Sequence, residues 1–251
     1  MTAPMGNAAT PTKLPILIVG IGEMAEIAYE YFSFDSPYQV VAFTVERSHL
    51  QQDRLFDLPV VPFEEVENHY PPSRYGIFAA FLFSELNRVR TRLFQASKAK
   101  GYTPVSYVSS RAFVWRNVAI GQNCFIFENT VIQHYAQIGD NVILWSGSGV
   151  GHRSIIRDNC FVSSHVVIAG YCDIGESCFL GVNSCIADKV KIARDCVLGA
   201  GAVVTADTEQ GMVYPGNRAA SAQVSSLTLF KVRERIMSVP LPGEKLPGTP
   251  Q

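Results

Sequence analysis

The chain has 251 residues, with 21 Lys and Arg against 22 Asp and Glu and a formal charge of -1. That balance gives no electrostatic footprint for nucleic acid or an anionic membrane, and no apolar run approaches the ~18 residues of a membrane span. Six cysteines come with neither an export signal nor a CxxC pair, so reduced thiols in a cytoplasmic protein are expected.

Residues 1–13 read as a disordered lead, without the charged and apolar regions of a signal peptide. Residues 14–104 read as an α/β domain. Leu14 to Val19 is an apolar run that ends at Gly20-Ile21-Gly22. Glu23 to Phe32 follows with Met24, Ile27, Ala28 and Tyr31 at helical spacing, so a strand, a glycine turn and an amphipathic helix are expected. Val40 to Val45 is a second strand and Gly76 to Leu82 a third. Ser84 opens a basic helix to about Lys100, and Thr103 to Val108 is a last strand. Strands alternating with helices predict a small, Rossmann-like parallel sheet.

The glycine turn permits two uses. The third position of the dinucleotide fingerprint is Ala25, an allowed variant, but no acid closes the second strand, where Thr44-Val45 precede Glu46. A phosphate or a nucleotide-linked substrate at the helix N-terminus is physically sound. So is a tight turn that only packs helix on strand. A nicotinamide cofactor is the weaker expectation.

From Ile120 to Val204 every sixth residue is aliphatic, without a slip in register. A hexapeptide period marks a parallel β-helix. Six residues make one face of a triangular coil and eighteen a full turn, so residues eighteen apart stack in columns about 4.8 Å apart. Ile120, Ile138, Ile156, Ile174 and Ile192 form an isoleucine ladder. Cys124, Val142, Cys160, Cys178 and Cys196 form a second interior column, which makes those thiols packing residues rather than metal ligands. The coil domain is assigned to 105–210. Residues 211–251 are taken as a capping segment and tail, and the α/β domain as the cap at the other end.

One column reads His134, His152, Gly170, Asp188. The repeat with an α/β domain ahead of it resembles the hexapeptide-repeat acyltransferases of the sialic-acid O-acetyltransferase and bacillosamine-type nucleotide-sugar N-acetyltransferase family. The resemblance, not the spacing, implies a left-handed coil and a homotrimer that uses acetyl-CoA as acyl donor without a metal. It implies that His152 is the general base and that Gly170 offers its N–H to the thioester oxygen, by direct attack without an acyl-enzyme. A base poised near neutrality and a fixed donor for the oxyanion are what acyl transfer requires. N-acetyl transfer to a nucleotide-linked sugar, in polysaccharide biosynthesis, is expected ahead of O-acetyl.

The positions that match coenzyme contacts of the family are Phe161, Gly170, Gly181, Val182, Ala187, Gly199 and Ala200. Small residues there also suit tight corners. Those that match the acceptor site are Gly20, Gly22, Glu23, Met24, Thr44 and Phe81, with His134 beside the acceptor sugar. Arg153 stands where the family carries an acid that orients the histidine, so another acceptor for the His152 N–H is required. Two rival readings remain. One is a non-catalytic trimeric scaffold. The other is a metal-dependent hydratase of the γ-carbonic-anhydrase type, whose short histidine spacing the chain lacks.

Overall fold

The computed structural model describes residues 13–231; the expected lead (Lys13 apart) and the tail after residue 231 lie outside the described residues. The N-terminal domain is built from β1 (Leu14–Val19), α1 (Glu23–Phe34), β2 (Tyr38–Val45), β3 (Arg54–Leu55), β4 (Leu58–Pro62), α2 (Val66–His69), β5 (Gly76–Ala79), α3 (Arg88–Ala99) and β6 (Thr103–Pro104). The strand order is β3-β4-β2-β1-β5-β6. All pairs are parallel except β3–β4, a hairpin turned by Phe56 and Asp57 at φ 47° and 60°.

Three differences from the sequence reading have local causes. β3 and β4 were not expected, because Pro59 and Pro62 break a strand pattern; next to the sheet edge β4 tolerates both. α3 begins at Arg88 rather than Ser84, because Glu85, Leu86 and Asn87 take φ of 51°, 49° and 69°. The last strand divides: Thr103–Pro104 closes the sheet beside β5, whereas Tyr107–Val108 pairs with Phe125–Ile126 and starts the coil.

The coil has three parallel faces made of two-residue strands. The first face runs from Tyr107–Val108 to Val213–Tyr214, the second from Phe113–Val114 to Val203–Val204, and the third from Ala119–Ile120 to Lys191–Ile192. Strand partners are eighteen residues apart, as in Ile132↔Val150↔Ile168. Each corner needs one left-handed residue, and these recur every six positions, among them Asn123, Asn129, Asn141, Gly147, Arg153, Asn159, His165 and Asn183. Asparagine and glycine suit that conformation.

The interior columns form as the period requires. Cys124, Val142, Cys160, Cys178 and Cys196 are fully buried. The thiols also bond: the Sγ of Cys124, Cys160 and Cys178 donate to the carbonyls of Gly139, Gly175 and Ala193 at 3.0–3.1 Å. Ser148 Oγ and Ser154 Oγ make the equivalent bond fifteen residues ahead. This position of the repeat therefore accepts a small side chain with a donor as readily as the apolar Val142.

The sheet domain lies along the first face of the coil and not just over its end. Outward-pointing Tyr107, Phe125, Ile143 and Phe161 are buried in one apolar cluster with Met24, Ala28, Phe32 and Phe78. The edge of the seam is polar and follows one corner column: Asn123, Asn141, Asn159, Ser177 and Asp195. Asn123 brackets the backbone of Ala79, accepting from its N–H at 2.7 Å and donating to its C=O at 3.3 Å. The asparagines bond in series, Asn123 to Asn141 and Asn141 to Asn159, at 2.8 Å. Asn87 donates to the carbonyls of Ser177 and Cys178, and Arg88 pairs with Asp195. At the far end, Asp207 and Thr208 accept from the N–H groups of Lys191 and Ala193 at 2.8 Å, in place of a further strand.

Residues from Arg218 onward form a separate unit. Its described part contains α4 (Ser226–Leu229), capped by Ser225, whose hydroxyl accepts from the N–H of Thr228. Among the described residues, no helix is long and apolar enough to cross a membrane.

Candidate active site

His134, His152, Gly170 and Asp188 come together at the corner between the second and third faces. The imidazoles of His134 and His152 stack with centroids 5.4 Å apart. A Cβ placed on Gly170 would lie 2.5 Å from His152 Cε1, 2.9 Å from Nε2 and 3.0 Å from Asp188 Oδ1. The imidazole edge thus rests on the glycine, and only glycine leaves it room. The N–H of Gly170 makes no hydrogen bond to any described residue, so that donor is unoccupied.

Gln133 settles what orients the ring. Its Oε1 accepts from the backbone N–H of His152 at 3.0 Å and lies 3.4 Å from Nδ1. The backbone bond fixes the amide with its oxygen toward the histidine. That oxygen favours a proton on Nδ1 and leaves the lone pair on Nε2, the atom that faces Gly170. Arg153 does not compete for the imidazole. At a left-handed corner, φ 57°, its guanidinium lies over the ring of Tyr135 at 4.6 Å. Tyr171 meets the imidazole edge-on at 5.1 Å. Beside this corner a groove of about 230 Å³ runs along the second face, lined by Gln133, Gly149, Gly151, Val167 and Gly170.

Sequence reasoning missed Gln133. The signal lay in its own column, where Gly151, Ala169 and Ala187 are small and one long polar side chain stands out.

The expected acceptor residues divide. The sheet order reverses between β1 and β5, and open α/β sheets hold ligands in the crevice outside the strand ends at such a point. Gly20, at φ 119°, sits there with the Ala80 carbonyl and the Phe81 ring against it. Gly22 is the N-cap of α1 and has open space around it, and Glu23 is exposed. Met24 and Thr44 are not in the crevice. Met24 is 2 % exposed because it faces the sheet, and Thr44 is fully buried, with its hydroxyl unpartnered among the described residues. Both belong to the packing of the turn.

Residues 117–152, 135–170 and 171–206 match the family described as bacterial transferase hexapeptide (six repeats). The matched stretches cover the repeat from residue 117 to residue 206. The whole fold is shared with solved structures. A mutant of perosamine N-acetyltransferase from Caulobacter crescentus, in complex with CoA and GDP-perosamine, is 24% identical over 80% of this chain and 93% of its own, with a TM-score of 0.73. The acetyltransferase domain of PglB from Neisseria gonorrhoeae is 24% identical over 83% of this chain and 100% of its own, with a TM-score of 0.73. WeeI from Acinetobacter baumannii is 18% identical, covers 82% of this chain and 99% of its own, and has a TM-score of 0.54. No curated protein is similar enough in sequence to count as a match. The likenesses carry the expected fold, an α/β domain followed by a left-handed hexapeptide coil.

Within the hexapeptide coil the expected coenzyme positions fall into three places. Val182 and Ala200 are exposed at the corner between the first and second faces, across the second face from His152. Gly181 and Gly199 stand beside them, where a Cβ would meet backbone of the next turn at 2.7–2.8 Å, so the coil itself requires both glycines. Ala187 lies one turn beyond Gly170, at the His152 corner. Phe161 corrects the expectation. It is 3 % exposed, stacked on Phe179 at 5.5 Å and covered by Phe83 at 5.1 Å. Its face is taken by the sheet domain, so it meets no coenzyme in this chain. Among the described residues, no group of three or more His, Cys, Asp or Glu side chains is placed to hold a metal.

Proposed function

We propose that this chain is an acetyl-CoA-dependent acyltransferase that acts on a nucleotide-linked sugar, with an amine as acceptor ahead of a hydroxyl. The observation that carries the reading is the contact of the His152 imidazole edge with Gly170, whose N–H is unbonded among the described residues, beside the groove. The shared fold supports it, since the Caulobacter protein is described in complex with CoA and GDP-perosamine and the Neisseria domain with acetyl coenzyme A.

In this mechanism Nε2 of His152 takes the proton of the acceptor amine or hydroxyl as that atom attacks the thioester carbon. The carbonyl oxygen gains negative charge and receives the N–H of Gly170. Collapse of the tetrahedral intermediate breaks the C–S bond, and the imidazolium returns its proton to the departing thiolate. Gln133 holds Nδ1–H throughout, so the base keeps one tautomer. The acceptor enters from the crevice at Gly20, Gly22 and Phe81 of a neighbouring copy, because the sheet domain of the same chain lies on the first face, away from the His152 corner.

A homotrimer completes the site. His152 and the exposed Val182 and Ala200 lie on opposite edges of the second face, so one coenzyme reaches both sets when that edge of one copy meets the other edge of its neighbour. Such a head-to-tail contact closes into a ring. The second face is suited to it: Phe113, Val131, Val167 and Val203 are 41–67 % exposed.

The test is thiol release from acetyl-CoA with a panel of amino-sugar nucleotides, for the wild-type chain and His152→Ala, beside calorimetry with acetyl-CoA. Turnover abolished by His152→Ala supports the reading. Turnover that survives the substitution discards the base. Neither turnover nor acetyl-CoA binding leaves the scaffold reading, and zinc-dependent hydration of carbon dioxide would favour the hydratase.

A further inference from the structure

Arg90 is fully buried in the seam between the sheet domain and the coil, with no carboxylate partner among the described residues. Its guanidinium is held by carbonyl and amide oxygens alone. On one side Nη1 donates to the carbonyls of Phe81 and Leu82. On the other, Nε donates to Asn141 Oδ1 at 3.1 Å, and Nη2 reaches the carbonyls of Asn141, Asn159 and Cys160 at 3.1–3.3 Å. Burial lowers its pKa to about 10, so the charge persists at neutral pH. A buried, unpaired cation is expensive, and a planar fork is the one side chain that spans both sets of acceptors.

The two sets are functionally unequal. Asn159 and Cys160 form the corner immediately downstream of His152, one short strand away. Phe81 and Leu82 start the loop that walls the β1–β5 crevice, with the Phe81 ring over Gly20. This loop cannot hold its own shape. Glu85, Leu86 and Asn87 are three successive non-glycine residues in the left-handed region, a run that persists only where the surroundings impose it.

We propose that Arg90 is a positioning residue: it fixes the acceptor-binding loop at Phe81–Leu82 in register with the coil turn that carries His152. The proposal rests on the acyltransferase reading only in taking the crevice as the acceptor site. Acceptor binding is then set through Arg90, and coenzyme binding is not.

Arg90→Lys keeps the charge but cannot span both sets of oxygens. Lys98→Gln breaks a partly exposed pair between the same helix and the coil, Lys98 to Asp140 at 3.8 Å, without touching the loop, and serves as the control. In the full-length chain, hydrogen exchange is expected to quicken over residues 80–87 and at Gly20 in Arg90→Lys while the coil stays protected. With substrates, the acceptor KM is expected to rise about tenfold, with the acetyl-CoA KM within about twofold of wild type. Lys98→Gln moves neither. If Arg90→Lys does not fold, Asn87→Gly retains the left-handed turn without its two coil bonds and is expected to give the same split, smaller in size. Unchanged exchange in the loop, or protection lost evenly across the domain, overturns the proposal with or without turnover. A wild-type chain that turns over no acceptor while Arg90→Lys still loosens only this loop refutes the acyltransferase reading and leaves the register pin standing.

Discussion

The side-chain oxygen of Gln133 holds His152 twice, at the backbone nitrogen (3.0 Å) and toward Nδ1 (3.4 Å). The contact is made by a neutral amide. It favours a proton on Nδ1 without adding charge beside the imidazole. Gln133→Leu is expected to lower kcat about tenfold or more, because the ring loses its orienting acceptor. Gln133→Glu retains the acceptor and adds a negative charge that favours the imidazolium. The acidic limb of its kcat/KM profile is therefore expected at higher pH than in the wild type. A pH–rate series on both variants checks this, and an unmoved limb in Gln133→Glu would show that Gln133 does not contact the base.

A side chain at Gly170 would crowd the His152 imidazole. A methyl group at this position would stand 2.5 Å from His152 Cε1. Gly170→Ala is expected to push the imidazole aside and cost about 100-fold in kcat, the usual penalty for misplacing a catalytic group by an ångström. Acetyl-CoA affinity by calorimetry is expected to hold if the coenzyme rests on the opposite corner. Near-wild-type turnover would remove Gly170 and His152 from one site.

Arg153 is held by Tyr135, 4.6 Å above its ring. Arg153→Gln is therefore expected to leave kcat within about twofold of wild type, with a stability change of about 0.5–1 kcal/mol for the lost cation–π contact. Tyr135→Ala releases the guanidinium next to the base. A nearby positive charge disfavours the imidazolium, so the acidic limb of this variant is expected at lower pH. A large loss of kcat in Arg153→Gln would show that the arginine works on substrate.

Asp35 joins the end of α1 to the first coil turn. Burial opposes its charge, but bonds from Ser110, Tyr107 and Ser109 outweigh that and hold its pKa at about 2, below 3.8. A depressed carboxylate stabilises the fold fully above its unfolded pKa and loses that contribution as pH falls toward the folded one. Denaturant titrations from pH 7 to pH 2 are expected to show the loss between about pH 4 and pH 2. Asp35→Asn is expected to be less stable by about 1 kcal/mol at pH 7, after discounting for solvent screening, and flatter in that window. Parallel curves for the two proteins would remove the carboxylate from the seam's stability.

Period alone determined the coil. The aliphatic residue at every sixth position, the buried Cys column and the stacking of His134, His152 and Gly170 follow from six residues per face and eighteen per turn, and all three are found as read. β1, α1, β2 and the glycine turn were equally legible, because local apolar patterns specify them. Tertiary structure decided the rest. Phe161 left the coenzyme set because Phe83 covers it, and Met24 and Thr44 left the crevice because the sheet buries them. α3 starts late because Arg90 and Asn87 tie its first turn to the coil. Gln133 reaches His152 from nineteen residues away, across neighbouring turns. A repeat sets which residues share a column, since that depends only on spacing along the chain. Which column is covered, and which polar atom finds which partner, depends on a second surface, and no spacing along the chain records where that surface lands.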